Sequence, residues 1–191
     1  RVTYTEGQAV LRACAQVRKA IADRARLPLT VTVEHDAAQP EDVMYFSAQV
    51  ADVNVDPDTG QVKVLRVVTA HDVGTIINPV AHQGQIDGGV VTGLGLAVME
   101  ELVAAEGQIV NGNLGDYKLP TMADLPRLET VLIHTSGGTG PYAAKAIGEL
   151  ANNATPAAIA NAVADATGKR LFELPITAER VYATLGSGRK G

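Results

Sequence analysis

The stretch Gln49-Val50-Ala51-Asp52-Val53-Asn54-Val55-Asp56-Pro57-Asp58-Thr59-Gly60-Gln61-Val62-Lys63-Val64-Leu65-Arg66-Val67 decides the fold. β-Branched residues alternate with polar ones on both sides of Asp56–Gly60, which is made of turn-forming residues. That pattern predicts a strand over Met44–Val55, a tight turn, and a returning strand over Gln61–His71, paired as an antiparallel hairpin. The spacing Asp52-x-Asn54-x-Asp56 resembles the start of a calcium loop. Pro57 then stands where such a loop needs Gly, and Lys63 where it needs a bidentate Glu, so a solvated hairpin turn is the better reading.

Upstream, Thr5 to about Asp23 reads as a helix, with Thr5 as N-cap and Gln8 completing a capping box. Val10, Ala13, Cys14, Val17 and Ile21 recur at helical spacing and predict a buried face that includes Cys14. Leu29–His35 alternates and predicts a further strand. Downstream, Asp72-Val73-Gly74 ends the hairpin, and Asn78-Pro79 opens a second helix running to Leu102, with Asn as cap and Pro in the first turn. Gly84, Gly88, Gly89, Gly93 and Gly95 interrupt this helix, each at a cost of about 1 kcal/mol relative to Ala. Gly84, Gly88 and Gly95 fall roughly on one side. Either close packing against a sheet or close approach of a ligand explains them.

Ile109–Asn111 reads as a strand edge, followed by a turn-rich connection ending at Pro126, and Leu128–His134 as a strand. Thr155-Pro156 predicts a helix start, with the helix running to about Ala166 and Gly168 as its stop. Leu171–Leu174 reads as extended. Thr177 caps a last helix over Ala178–Leu185. The expected architecture is α+β, a mixed sheet with hairpins packed against several helices. One domain is expected over residues 1–185, with a loose Gly-rich tail over 186–191.

Composition narrows the function. The chain has 191 residues, 46% of them apolar, enough for a sizeable core. Net charge is −5 with no basic block, which argues against nucleic acid as a partner. No apolar run is long enough to cross a membrane as a helix. The single cysteine cannot form an internal disulfide or hold an Fe–S cluster by itself. His35, His71, His82 and His134 show no metal-ligand spacing, so no metal held by side chains is expected. The sequence starts at Arg1 without a Met, and a piece of a longer protein is expected.

The chemistry concentrates in Gly140-Pro141-Tyr142-Ala143-Ala144-Lys145-Ala146-Ile147-Gly148-Glu149. Small residues and a free backbone let a large ligand approach, and Glu149 is the one acid there. An apolar setting would raise its pKa toward a general-base range. A Glu near a helix start also serves as a dipole partner, and the residues alone leave both readings open.

Several phrases together resemble the xanthine dehydrogenase (molybdenum hydroxylase) family, in the C-terminal part of its molybdenum-cofactor-binding subunit. They are His71-Asp72-Val73-Gly74 with Ile77-Asn78-Pro79; Gly84-Gln85-Ile86-Asp87-Gly88-Gly89 with Thr92-Gly93-Leu94-Gly95; Asp116-Tyr117-Lys118-Leu119-Pro120-Thr121; Ala144-Lys145-Ala146-Ile147-Gly148-Glu149; and Leu174-Pro175-Ile176-Thr177-Ala178-Glu179-Arg180-Val181. Each phrase is weak alone, but the ordered set is specific and spans nearly the whole chain.

The resemblance implies that Glu149 is the base taking a proton from the metal's hydroxyl ligand, during hydroxylation of an aldehyde, purine or N-heterocycle with oxygen from water. It implies that Gln85 hydrogen-bonds the pterin, and that Lys145, Ala146, Ile147 and Gly148 line the cofactor, largely through backbone groups. The cofactor is expected to be a molybdenum-pterin in its molybdopterin cytosine dinucleotide form. Fe–S and FAD groups are expected on other domains or subunits, with the remainder of the molybdenum-binding subunit, the Fe–S and FAD partners and a small-molecule substrate as partners. A cytoplasmic location and self-association as a homodimer are also expected. The family's earlier Gly-rich phrases are absent, so no turnover is expected from these residues alone. The alternative is a non-catalytic binding or assembly domain that retains the fold.

Overall fold

The computed structural model describes residues 2–34, 44–137 and 140–186. They divide into two compact units. The first comprises Arg1–Phe46, Asp72–Pro79 and Leu132–Ala146; the second comprises Ser47–His71, Val80–Val131 and Ile147–Gly191.

The second unit is built on the expected hairpin. Strand β1 (Ser47–Val55) pairs antiparallel with β2 (Val62–Asp72). The Asp56 carboxylate organises the turn, accepting the Asp58 amide at 2.9 Å and the Thr59 hydroxyl at 2.8 Å. These bonds, the Asp58 amide foremost, hold the Asp56 pKa below its ordinary value. Asp52 pairs with Arg66 at 2.7 Å. Both outer acids of the calcium-like spacing are therefore engaged within the hairpin. Gly60 adopts φ +76°, and a side chain there would press on the Tyr182 amide, at 2.8 Å from a Cβ. Turn geometry and close approach both require glycine.

The register shifts between Asp52 and Val53, whose partners are Arg66 and Val64, leaving Leu65 as the extra residue of a β-bulge. The bulge resets the two-residue alternation of β2. Val64 and Val67 are three positions apart yet both are buried, with Leu65 and Arg66 exposed between them. Beyond the bulge, Val67, Thr69 and His71 all point into the core. The His71 ring shares a 2.6 Å hydrogen bond with the Thr69 hydroxyl. Burial, and then the neighbouring His82, lower its pKa and hold it neutral.

Helix α2 (Pro79–Val98) begins where Asn78-Pro79 predicts. It ends short of Leu102, because the Met99 and Glu100 amides both turn back to the Gly95 carbonyl, at 3.0 and 2.8 Å. Strands β3 (Ala104–Ala105) and β4 (Gln108–Ile109) form a small separate hairpin, and β5 (Arg127–Ile133) completes the main sheet in the order β1-β2-β5. Gln83 ties α2 to the sheet, donating to the Thr130 hydroxyl at 2.9 Å.

Helix α3 (Leu150–Thr167) starts well before the predicted Thr155-Pro156. Pro156 lies inside it, where it has no amide proton to offer the Asn152 carbonyl. The helix survives because it packs on β1 and α2. Ala151, Thr155, Ile159 and Val163 are all 1% exposed or less. Its predicted stop holds, since Gly168 caps it in the left-handed region at φ 67°. Helix α4 (Ala178–Gly186) is capped as expected, with the Thr177 hydroxyl accepting the Arg180 amide at 3.3 Å. The Ile176 amide bonds the Ala97 carbonyl at 2.6 Å and docks this last segment on the end of α2. Residues 187–191 of the expected tail lie outside the described residues.

In the first unit, helix α1 (Val2–Ala22) starts upstream of Thr5, so position 5 lies inside it and not at its expected start. It packs on a short 3-10 turn, Pro141–Ala143, where Gly7 lets Pro141 approach. The predicted buried face is not covered. Val10 and Ile21 are more than half exposed, and Cys14 is exposed. Helical spacing supplies an apolar stripe, but no described element of the unit covers this one. The strand expected over Leu29–His35 does not form over residues 29–34, which have no ladder partner among the described residues; His35 lies outside them.

Four main-chain hydrogen bonds tie this unit together. The Asp72 amide donates to Phe46 at 2.9 Å, Val73 to Ile133 at 3.3 Å, Thr75 to Ala143 at 3.1 Å and Lys145 to Val73 at 3.2 Å. Helices packed with a hydrogen-bonded sheet make the fold α+β, as expected.

Candidate cofactor site

The glycines of α2 divide by direction. Gly89 and Gly93 face α3. A Cβ on Gly89 would come within 2.8 Å of the Ala151 Cβ, and one on Gly93 within 2.5 Å of the Thr155 Cβ and 3.0 Å of the Asn152 carbonyl oxygen. That carbonyl is the one Pro156 leaves without an amide partner, and Gly93 allows the neighbouring helix to approach it. Gly95 accommodates Glu100 and Pro120. Gly84 and Gly88 do none of this, for a Cβ on either would meet nothing within 4 Å. The packing and ligand readings therefore both apply, to different residues, and Gly95 does not share the open side with Gly84 and Gly88.

The open side is one wall of a cleft of about 240 Å³, lined by Gly84, Gln85, Gly88, Gly89, Thr92, Gly148, Glu149 and Asn152. All eight belong to the second unit. Positions 84, 88 and 92 recur every four residues, so they stack along one helix face. The opposite wall is the start of α3. Glu149 is its N-cap residue, with φ −96° and ψ 18°, and its side chain makes no capping bond. Gly148 turns into this position at φ +25°, and no atom lies within 4 Å of where its side chain would be.

The Thr92 hydroxyl donates to the Gly88 carbonyl at 2.9 Å, and the other polar side chains of the cleft are unengaged. Among the described residues, the Glu149 carboxylate makes no hydrogen bond or ion pair, and the carboxamides of Gln85 and Asn152 make no hydrogen bond. The Ile147 and Gly148 amides donate none either. Glu149 is exposed in this chain, not held in the apolar surrounding that the sequence suggested. The apolar side chains of α3, among them Ala151, Ile159 and Val163, are buried in the core instead.

Lys145 is placed differently from Glu149. Its ammonium bonds the Asp72 carboxylate at 2.7 Å and the Met44 carbonyl at 3.1 Å, with only 6% of its side chain exposed. The Thr135 hydroxyl donates to the other Asp72 oxygen at 2.6 Å. The Lys145 hydrogen bond, then that of Thr135, hold the Asp72 pKa below its ordinary value. Lys145 and Ala146 belong to the first unit, and Ile147, Gly148 and Glu149 to the second. The structure thus brings Gln85, Gly148 and Glu149 to one cleft. Asn152 and Thr92 are the lining side chains that sequence reasoning missed. Their only signal was spacing, Asn152 three residues beyond Glu149 and Thr92 four beyond Gly88.

A bare helix face, free amides and unengaged carboxamides suit a flat, anionic, hydrogen-bonding cofactor. Side chains at Gly84 or Gly88 would fill the space it needs. A pterin fits this cradle. Among the described residues no cluster of His, Cys, Asp and Glu could hold a metal ion directly.

The comparison with known proteins agrees. Residues 28–126 match the family model of the molybdopterin cofactor-binding domain, and the chain belongs to that family. It is 40% identical over 139 residues to a xanthine dehydrogenase molybdenum-binding subunit of Escherichia coli, covering 72% of this chain and 18% of that protein. It is 40% identical over 146 residues to one of the subunits of nicotinate dehydrogenase from Pseudomonas putida, covering 76% of this chain and 12% of that protein. In structure it is similar to the aldehyde oxidoreductase from Desulfovibrio gigas, with a TM-score of 0.69 and 33% identity, covering 74% of this chain and 15% of that one. The chain therefore spans less than a fifth of the length of these relatives.

Proposed function

We propose that this chain is the part of a molybdenum hydroxylase large subunit that carries the catalytic base, Glu149, and one wall of the pterin site. The observation that carries the reading is the cleft in which the bare face of Gly84 and Gly88 stands with an unengaged Glu149 carboxylate. In the complete enzyme Gly84 and Gly88 give the cofactor clearance, and the Gln85 carboxamide hydrogen-bonds its ring. The Ile147 and Gly148 amides donate to its polar edge. The family resemblance assigns Lys145 and Ala146 to the cofactor through backbone atoms, and the Lys145 ammonium is bonded to Asp72.

The bound molybdenum centre supplies two-electron oxidation of a C–H bond with oxygen derived from water. A Glu149 carboxylate oxygen accepts the proton released in that step. Closure of the cleft by the rest of the subunit would exclude water from Glu149. The isolated chain carries only part of the cofactor site and is assigned no turnover.

The substrate is assigned to the aldehydes, purines and N-heterocycles, the chemistry of the relatives' names. The cofactor is assigned as the cytosine dinucleotide form, with Fe–S and FAD groups on partner domains or subunits and a cytoplasmic location. No described helix is long and apolar enough to cross a membrane.

Replacing Glu149 with Gln in the complete enzyme tests the reading. Turnover should fall by about 10²-fold or more, the scale of a lost general base. Molybdenum and pterin content should stay at wild-type levels. Wild-type turnover in that variant rejects Glu149 as the base.

A further inference from the structure

One polar cluster lies outside the residues assigned so far. Gln49, on β1, reaches across to the first turn of α3. Its amide nitrogen donates to the Ala151 carbonyl at 2.7 Å. Its amide oxygen lies 2.7 Å from the Thr155 hydroxyl, which is also 2.8 Å from the Ala151 carbonyl. Thr155 is fully buried and Ala151 is 1% exposed. A hydroxyl has one proton, and giving it to the Gln49 oxygen satisfies both ends of that carboxamide, whose amide already bonds the Ala151 carbonyl. The result is a closed strap between strand and helix, buried at Thr155 and Ala151 and half-buried at Gln49, with these partners satisfied.

The strap falls where α3 is weakest. Pro156 deprives the Asn152 carbonyl of its helical hydrogen bond, and Glu149 provides no side-chain cap. The first turn carries Glu149 at its cap and Asn152 on the cleft wall. Neither is held by a side-chain bond of its own. Their placement therefore depends on Ala151 and Thr155, whose other sides press on Gly89 and Gly93. All of these residues lie in one compact unit.

We propose that Gln49 and Thr155 are positioning residues, which set the angle at which the first turn of α3 presents Glu149 and Asn152 to the cleft. The proposal rests on the assignment of Glu149 as the base. Gln49 and Thr155 do not touch the cleft themselves. Their removal acts through the helix, and a misplacement of about 1 Å is enough to cost about 10²-fold in rate.

The test uses the complete enzyme with Gln49→Leu, Thr155→Val and the conservative Thr155→Ser. Hydrogen exchange at the amides of residues 150–155 is read together with kcat, KM and bound molybdenum. Under the proposal, Gln49→Leu and Thr155→Val speed exchange in that turn while exchange in α4 stays unchanged. They lower kcat by about tenfold or more, with KM within about twofold and molybdenum content retained. Thr155→Ser, which keeps the hydroxyl, stays near wild type in all readouts. Faster exchange with unchanged kcat makes the strap purely structural and overturns the proposal. Unchanged exchange also overturns it. The Glu149→Gln variant is run in parallel. Wild-type turnover there rejects the base assignment itself, a result separable from either failure of the strap.

Discussion

Glu149 and Lys145 stand four residues apart and are put to opposite uses. Glu149 is exposed at a helix cap with no partner among the described residues, which leaves its oxygens free for a proton. The Lys145 side chain is almost fully buried and bonded to Asp72, which leaves its ammonium nothing to offer a ligand. The pair has a pH signature. The Asp72 pKa is lowered in the fold, so the unfolded chain binds the extra proton more readily. The stability that the pair contributes is then present above the ordinary carboxylate value of about 3.9, and is lost as pH falls through the lowered value. Lys145→Met should destabilise the protein at pH 7, and the gap from wild type should narrow as pH falls below about 4. Denaturant unfolding of both proteins across that range checks the sign. A gap that widens at low pH contradicts it.

At the scale of elements, α2 shows one residue type serving two purposes. Gly88 faces open space, so Gly88→Ala leaves packing intact and should stabilise the apo protein by up to about 1 kcal/mol through helix propensity. In the complete enzyme the same methyl group should lower pterin occupancy. Gly93 faces α3, and Gly93→Ala drives a methyl group into Thr155 and the Asn152 carbonyl. It should destabilise by about 1–3 kcal/mol, the cost of overpacking. Thermal unfolding and pterin content, measured on both variants, separate the two roles. Equal effects from the two substitutions would remove the distinction.

At the scale of the whole molecule, each unit leaves apolar surface uncovered. In the first, Val10, Ile21 and Leu27 are all more than half exposed; in the second, Leu102, Leu114 and Met122 are at least 60% exposed. Exposed apolar residues in this number favour association. The isolated chain should therefore elute larger than a monomer, with the larger species gaining as concentration rises. A monomeric profile at high concentration counts against this expectation.

The sequence by itself determined the elements whose signals are local. Alternation and the Asp56–Gly60 turn specified the β1–β2 hairpin, Asn78-Pro79 the start of α2, Gly168 the end of α3, and Thr177 the cap of α4. It also singled out Gln85, Gly148 and Glu149, and the structure gathers them in one cleft. Other features depended on contacts across the chain. Residues 29–34 alternate like a strand, but a strand forms only with a ladder partner. Thr155-Pro156 reads as a helix start, yet burial against β1 and α2 carries the helix through it. Cys14 falls on an apolar stripe, but a stripe is buried only where another element meets it. The helix glycines look alike in sequence. Only the packing of α3 on α2 decided which of them admit a neighbour and which stay open to the cleft, because direction around a helix has meaning only against what lies on each side.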